Sequence, residues 1–154
     1  MHIDTPEIAD ADRPQPRSGL EGKFSFQYTA AAALLDGRVG IESFTDERRF
    51  RDDMVRLLDK IELTRDPTRS HDTRNMHVAV SVTLRNGTTH RHVCDHPPGS
   101  WGHPIDRRMH DAKVRSCLAV RFSAANVDRV LGLLGALEQL DADDVQDLMT
   151  LLRQ

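Results

Sequence analysis

An α+β fold is predicted, with a small sheet containing a β-hairpin packed with helices and three helices closing the chain. Three observations predict it. Residues 76–84 alternate Met76, Val78, Val80, Val82 and Leu84 against His77, Ala79, Ser81 and Thr83, the period-two pattern of a strand with one buried face. Phe50, Met54, Leu57, Leu58 and Ile61 recur at helical spacing. Beyond Pro97-Pro98-Gly99, three further apolar-periodic segments each follow a capping residue.

In chain order, Met1 to Ile8 reads as a short strand that Pro6 confines to an edge or ends. Residues 10–22 hold Pro14, Pro16, Gly19 and Gly22 among charges, which predicts a flexible loop. Phe24 to Leu35 turns alanine-rich and predicts a helix stopped by Asp36-Gly37, with Ala30, Ala31 and Ala33 leaving room for another backbone. Thr45 is the expected N-cap of the Phe50–Ile61 helix, and Asp46 and Glu47 occupy its first turn, where the helix dipole favours negative charge. A short strand around Ile61 to Thr64 is expected to end at Asp66-Pro67.

Asn86-Gly87 predicts a two-residue type I′ turn, which sets Leu84 opposite Thr89, Val82 opposite Arg91 and Val80 opposite Val93. His90 and His92 then point away from the valines, onto a polar face with His77, Ser81, Thr83 and Cys94. The closing helices are expected to start at Asp106, Ser123 and near Asp141. Their inward residues are Met109, Ala112, Cys117 and Leu118 in the first, Val127, Val130, Leu131, Leu134 and Leu137 in the second, and Val145, Leu148, Met149 and Leu152 in the third.

Composition narrows the function. A formal net charge of −3 with Lys and Arg dispersed along the chain offers no basic stripe, so no nucleic-acid partner is expected. No apolar run approaches the roughly 20 residues that span a bilayer, and the amino terminus is acidic where a signal peptide is basic, which predicts no membrane partner and a cytoplasmic location. Cys94 and Cys117 lack metal or redox spacing and read as reduced thiols.

Two histidine groups invite chemistry. His90 and His92, with His77 or Cys94, have the residue types of a divalent-metal site, but no carboxylate supports them, and a half-exposed sheet face is where polar residues belong in any case. No metal is therefore expected. His96, His103 and His110 gather with Trp101 around a Gly/Pro loop suited to touching a substrate, or simply to crossing the surface. No nucleophile with an adjacent base, phosphate-cradling glycine loop or paired carboxylates stands out.

The run Ser18-Gly19-Leu20-Glu21-Gly22-Lys23-Phe24-Ser25-Phe26-Gln27-Tyr28, continued by AAAALLDGRVGIESFTDE, resembles the MmgE/PrpD family. That family carries a KFS-like stretch, a tyrosine, a small-residue helix ending in LLDG and a Phe-Thr-Asp helix start in this order. The later hairpin, Gly/Pro loop and Lys113-containing helix are similar too, although Val114 stands where members often carry phenylalanine. The resemblance runs from about Ile3 to Leu152. It implies a single carboxy-terminal lid domain over residues 1–154, without the helical catalytic domain that carries most of the family's catalytic positions.

The resemblance also implies cofactor-free lyase chemistry on tricarboxylates, either 2-methylcitrate dehydration or cis-aconitate decarboxylation, in a cleft between lid and helical domain. Tyr28 matches a lid tyrosine that faces the cleft in the decarboxylase branch and is the candidate catalytic residue, as a hydrogen-bond or proton donor. Lys23 and His103 are candidate substrate-binding residues. The implied partners are a separately encoded helical domain, further copies of the chain in a homo-oligomer, and a tricarboxylate substrate. Alone, the chain is expected to be inactive. The alternatives are a noncatalytic oligomerisation or small-molecule-binding module, or a truncated remnant.

Overall fold

The computed structural model describes residues 1–6, 11–66, 72 and 78–153. Two compact units divide the chain, Met1–Ile105 and Asp106–Gln154. The fold class is the expected one.

The first unit is built on a four-stranded mixed sheet of β1 (His2–Pro6), β2 (Glu62–Asp66), β3 (Val78–Thr83) and β4 (Thr89–Cys94), ordered β2-β1-β3-β4. Pro6 ends β1 rather than confining it to an edge: β1 is internal, parallel to β2 and antiparallel to β3. Its Ile3 faces the core and lies opposite Val80. On the same side pack α2 (Phe26–Asp36) and α4 (Asp52–Leu58), whose Tyr28, Ala31, Ala32, Met54 and Leu58 make the core with Ile3 and Ile61.

Local chemistry explains the ends of α2. The Ser25 hydroxyl accepts the Tyr28 N–H, and Gly37 closes the helix at φ 72°, a conformation costly for other residues. Ala31 and Ala32 are fully buried inside this unit, so the close approach that the alanines permit is made within the chain. An Ala31→Glu change would therefore damage the core rather than probe an external contact. The outer side of this region carries Leu20, Phe24, Leu34 and Leu35 instead.

The helix expected across Phe50 is broken. A short α1 (Gly19–Gly22) and a 3-10 turn (Ile41–Phe44) precede α3 (Asp46–Arg49), which ends at Phe50, and α4 begins only at Asp52. Thr45 caps α3 as expected, its hydroxyl accepting the Arg48 N–H. Phe50 is exposed at the break, while Arg48 and Arg49 are buried in its place. Arg48 forks onto both oxygens of Asp36 at 2.8 and 2.9 Å and reaches Asp53 at 3.1 Å. Arg49 donates to the Pro16 carbonyl and to Gln15, and its guanidinium lies over the Phe50 ring. Satisfied guanidinium groups thus outcompete one aromatic ring for the inward positions.

The described part of the 10–22 segment is laced down. Asp12 takes Gln27 and Arg65, the Arg13 carbonyl takes the Ser25 hydroxyl, and Gln15 reaches Asp59. Gly19 donates to Asp46, and a methyl group on Gly19 would stand 2.3 Å from the Thr45 carbonyl carbon.

The hairpin register corrects the expectation. Leu84 donates to the Thr88 carbonyl and accepts from Gly87 N–H, so the loop is the three residues Arg85, Asn86 and Gly87. Gly87 alone takes positive φ, at 84°, and Asn86 instead accepts the Thr88 N–H on its side chain. A three-residue loop with glycine in the left-handed position shifts the register by one relative to a type I′ turn. Val80 lies opposite His92, Val82 opposite His90 and Val78 opposite Cys94. His90 and His92 consequently share the face of the valines, not the opposite one, but stay exposed because β4 is the edge strand. Val78 and Val80 pack against the core, and Ala79 is buried on the other face. Met76 and His77 lie outside the described residues.

In the second unit α5 (Arg107–Leu118), α6 (Ala124–Gly135) and α7 (Ala142–Leu152) start at the expected caps Asp106, Ser123 and Asp141. Asp141 and Asp144 form a reciprocal capping box. The core is Val130, Leu148 and Leu151, with Leu118, Leu133 and Leu140 packed against it. Leu118 alone of the expected α5 residues turns inward: Met109, Ala112 and Cys117 are exposed, and Asp111, Val114 and Leu118 form the partly covered row. On α7 the buried row includes Leu151, which leaves Val145, Met149 and Leu152 outside. Leu134 and Leu137, expected inward, are exposed as well.

Candidate functional site

Tyr28 is the third residue of α2 and lies against the 3-10 turn Ile41–Phe44. The Gly37–Gly40 connection folds that turn back over the helix, and the Ser43 hydroxyl, accepting the Gly40 N–H, holds its geometry. The Tyr28 ring is fully buried, its hydroxyl donates to the Ser43 carbonyl, and its ring lies 6.1 Å from that of Phe44 between centroids, the planes tilted by 43°. Burial pushes the Tyr28 phenol above its ordinary range, against the lowering pull of Arg48 and Arg49, so it is held protonated.

Lys23 approaches the same place from the solvent side. Its Nζ lies 5.6 Å from the centre of the Phe44 ring, a cation–π contact. Phe44 thus has Lys23 and Tyr28 as its ring partners, and two of the three candidate residues meet through one aromatic side chain. His103 belongs to a different constellation. A small bridge between Ser100 and His103 presents Trp101, 78% exposed, and the His103 ring stacks on His96 at 4.1 Å with planes 9° apart.

Sequence reasoning missed the charged pocket above Tyr28. A cavity of about 400 Å³ is lined by Asp36, Arg38, Glu42, Ser43, Thr45, Glu47, Arg48 and Arg51. Ser43, which receives the Tyr28 hydroxyl, is part of its wall. Its cations are already engaged, Arg38 by Glu42, Arg51 by Asp53, and Arg48 by Asp36 and Asp53. The hydrogen bond with Asp36 raises Arg48 further, against the cost of burial. Only the spacing between Asp36 and Arg48, across an intervening turn, could have signalled this pair, and no local rule reads such a distance.

Among the described residues no group of three or more His, Cys, Asp or Glu is arranged to hold a metal, and no helix is long and apolar enough to cross a membrane. A family model, MmgE/PrpD C-terminal domain, matches residues 1–139. The chain belongs to the MmgE/PrpD family. Among curated relatives, this MmgE/PrpD chain is 32% identical over 148 residues to the cis-aconitate decarboxylase of Homo sapiens and 30% identical over 148 residues to that of Mus musculus. Each alignment covers 96% of this chain and 30% of the relative, so the chain spans under a third of the length of the curated proteins it matches.

Proposed function

We propose that this chain is the lid portion of a MmgE/PrpD-type lyase acting on tricarboxylates, inactive alone and completed by a helical partner carrying the remaining catalytic groups. The observation that carries the reading is the near-complete alignment with two cis-aconitate decarboxylases through a segment under a third of their length. Those relatives favour decarboxylation of cis-aconitate over dehydration of 2-methylcitrate, and a cytoplasmic setting is proposed with it.

Within the lid, Lys23 supplies an exposed cation for a substrate carboxylate, and Tyr28 supplies a protonated phenol. To act on substrate the phenol must exchange the Ser43 carbonyl for a substrate oxygen, a swap that seating on the partner would drive. His103 contributes a loop imidazole beside exposed Trp101. Such groups bind and orient carboxylates or deliver a proton without a metal or organic cofactor.

One observation favours a second reading, a noncatalytic module. Tyr28 is fully buried with its hydroxyl satisfied, as a structural tyrosine is. The deciding experiment supplies the helical region of a cis-aconitate decarboxylase to the purified chain and follows carbon dioxide release with Tyr28 intact and as Tyr28→Phe. Restored turnover that falls at least tenfold in the variant, with folding intact, supports the catalytic assignment. Equal turnover by both proteins leaves Tyr28 as a core residue, and no turnover in either sinks the lid reading.

A further inference from the structure

Asn86 and Gly87 are exposed at the tip of the hairpin, and the fold sets their groups for a reaction between neighbours. Asn86 Oδ1 accepts the Thr88 N–H at 3.0 Å, a turn that folds the side chain back over the Gly87 amide and keeps the carbonyl carbon Cγ beside it. The Thr88 N–H also lies where negative charge gathers when Cγ is attacked, as a donor that stabilises an oxyanion does. Gly87 brings no side chain to obstruct that attack. Beyond its chain neighbours, no heavy atom stands within 4 Å of where its Cβ would be, and its φ of 84° is one that other residues rarely adopt.

One contact opposes the reaction. The Gly87 N–H donates to the Leu84 carbonyl at 3.0 Å, which turns the nitrogen away from Cγ. That bond closes a loop of exposed residues at the end of an edge hairpin, so it opens by local fraying without disturbing a core. The chain's other asparagines, Asn75 and Asn126, precede Met76 and Val127, whose side chains hinder the same attack.

We propose that Asn86 is a site of self-modification, at which the Gly87 nitrogen displaces the side-chain amide and the hairpin acquires aspartate or isoaspartate with age. The Gly87 nitrogen gives its proton to hydroxide and attacks Cγ with the electron pair. The bond from that nitrogen to Cγ forms, the Cγ–Nδ2 bond breaks, and Nδ2 leaves as ammonia after taking a proton from water. One water then opens the cyclic imide, at Cγ to give aspartate or at the main-chain carbonyl carbon to give isoaspartate. Nothing is oxidised or reduced.

Isoaspartate carries the main chain through the former side chain, which adds a methylene to the loop. The paired bonds from Leu84 to Gly87 and Thr88 are fitted to the shorter loop, and β4 is joined to the sheet through β3 alone. The modification therefore loosens β4 while Ile3, Val78 and Val80 stay on the core. Its free α-carboxylate is the chemistry that isoaspartyl methyltransferases accept. The inference rests on the hairpin and is independent of the lyase reading.

The full chain, kept folded at mildly alkaline pH and sampled over days, provides the test. Peptide mass mapping locates the change, ion exchange separates the added negative charge on a chain of net −3, and methyl transfer by an isoaspartyl methyltransferase counts isoaspartate. The expected result is conversion confined to Asn86, with isoaspartate in excess, at a rate within about tenfold of that in the urea-unfolded chain. Gly87→Ala should slow it by about tenfold or more, and circular dichroism verifies that this variant is folded. In the purified isoaspartate form, β4 amides should exchange hydrogen several-fold faster while β1 amides do not change. Asn86→Asp, which adds the charge without the methylene, should keep β4 protected. Conversion only in urea, equal conversion at Asn75 or Asn126, indifference to Gly87→Ala, or unaltered β4 exchange in the isoaspartate form overturns the proposal.

Discussion

Tyr28 joins the core of the first unit to the rim of its charged cavity. Removing its hydroxyl strands the Ser43 carbonyl, so Tyr28→Phe is expected to lower stability by about 1–2 kcal/mol in urea unfolding, the size of a lost buried hydrogen bond. Its burial also sets an alkaline dependence. Because the folded phenol titrates above the unfolded one, its contribution is complete below about pH 10 and is lost as pH rises through the folded value. Tyr28→Phe should flatten the stability profile in that range. Gly19 makes an independent residue-scale test. An added methyl would collide with backbone at 2.3 Å rather than with a yielding side chain, so Gly19→Ala should cost at least about 1–3 kcal/mol by the same assay.

At the scale of elements, the hairpin distinguishes two turn chemistries. In the three-residue loop only Gly87 needs positive φ, so Gly87→Ala should cost about 1–2 kcal/mol while Asn86→Ala costs only its side-chain hydrogen bond. Equal, large losses at both positions in thermal unfolding would restore the type I′ turn. The strap over residues 11–18 has its own acid signature. The hydrogen bond from Arg65 is the largest influence on Asp12, and with Gln27 it holds the carboxyl below its ordinary range despite partial burial. That stabilisation is present above about pH 4 and disappears as pH falls through the lowered folded value. Limited proteolysis between pH 5 and pH 2 should therefore show the strap loosening in the wild type, and an already loosened strap with little pH dependence in Asp12→Asn.

Legibility in the sequence followed the range of the cause. Caps at Ser25, Thr45, Asp106, Ser123 and Asp141 depend on residues three positions away, and the sequence pattern places helix starts at Thr45, Asp106 and Ser123 and near Asp141, though for Thr45 the helix is shorter than expected and Ser25 is missed. The break after Arg49 was not legible because Arg48 answers to Asp36 twelve residues earlier and Arg49 to Pro16 thirty-three earlier. By itself Asn86-Gly87 has the signature of a two-residue turn, but it forms only the second and third residues of a longer loop, and one residue of slip puts both histidines on the other face. On α7 the choice between Leu151 and Val145 as core residues lay in packing against α6, which periodicity alone leaves open. For the candidate site, Lys23 and Tyr28 came from the family resemblance, and Phe44, which brings them together, came only from the fold.

For the whole molecule, the sheet with its helical cover and the three-helix unit each have a core of their own. The described residues group no metal ligands, so prolonged dialysis against a chelator should leave the melting temperature unchanged within about 1 °C; a drop of several degrees would point to a metal held by this chain. The chain spans under a third of the length of its curated relatives, and the proposed lid role assigns the remaining catalytic groups to a separate helical region. The most direct test of that role is carbon dioxide release from cis-aconitate by three samples: the purified chain, the helical region of the human relative, and the two together. The account predicts activity in the mixture alone, and turnover by the chain in isolation, or none in a mixture shown to associate, would contradict it.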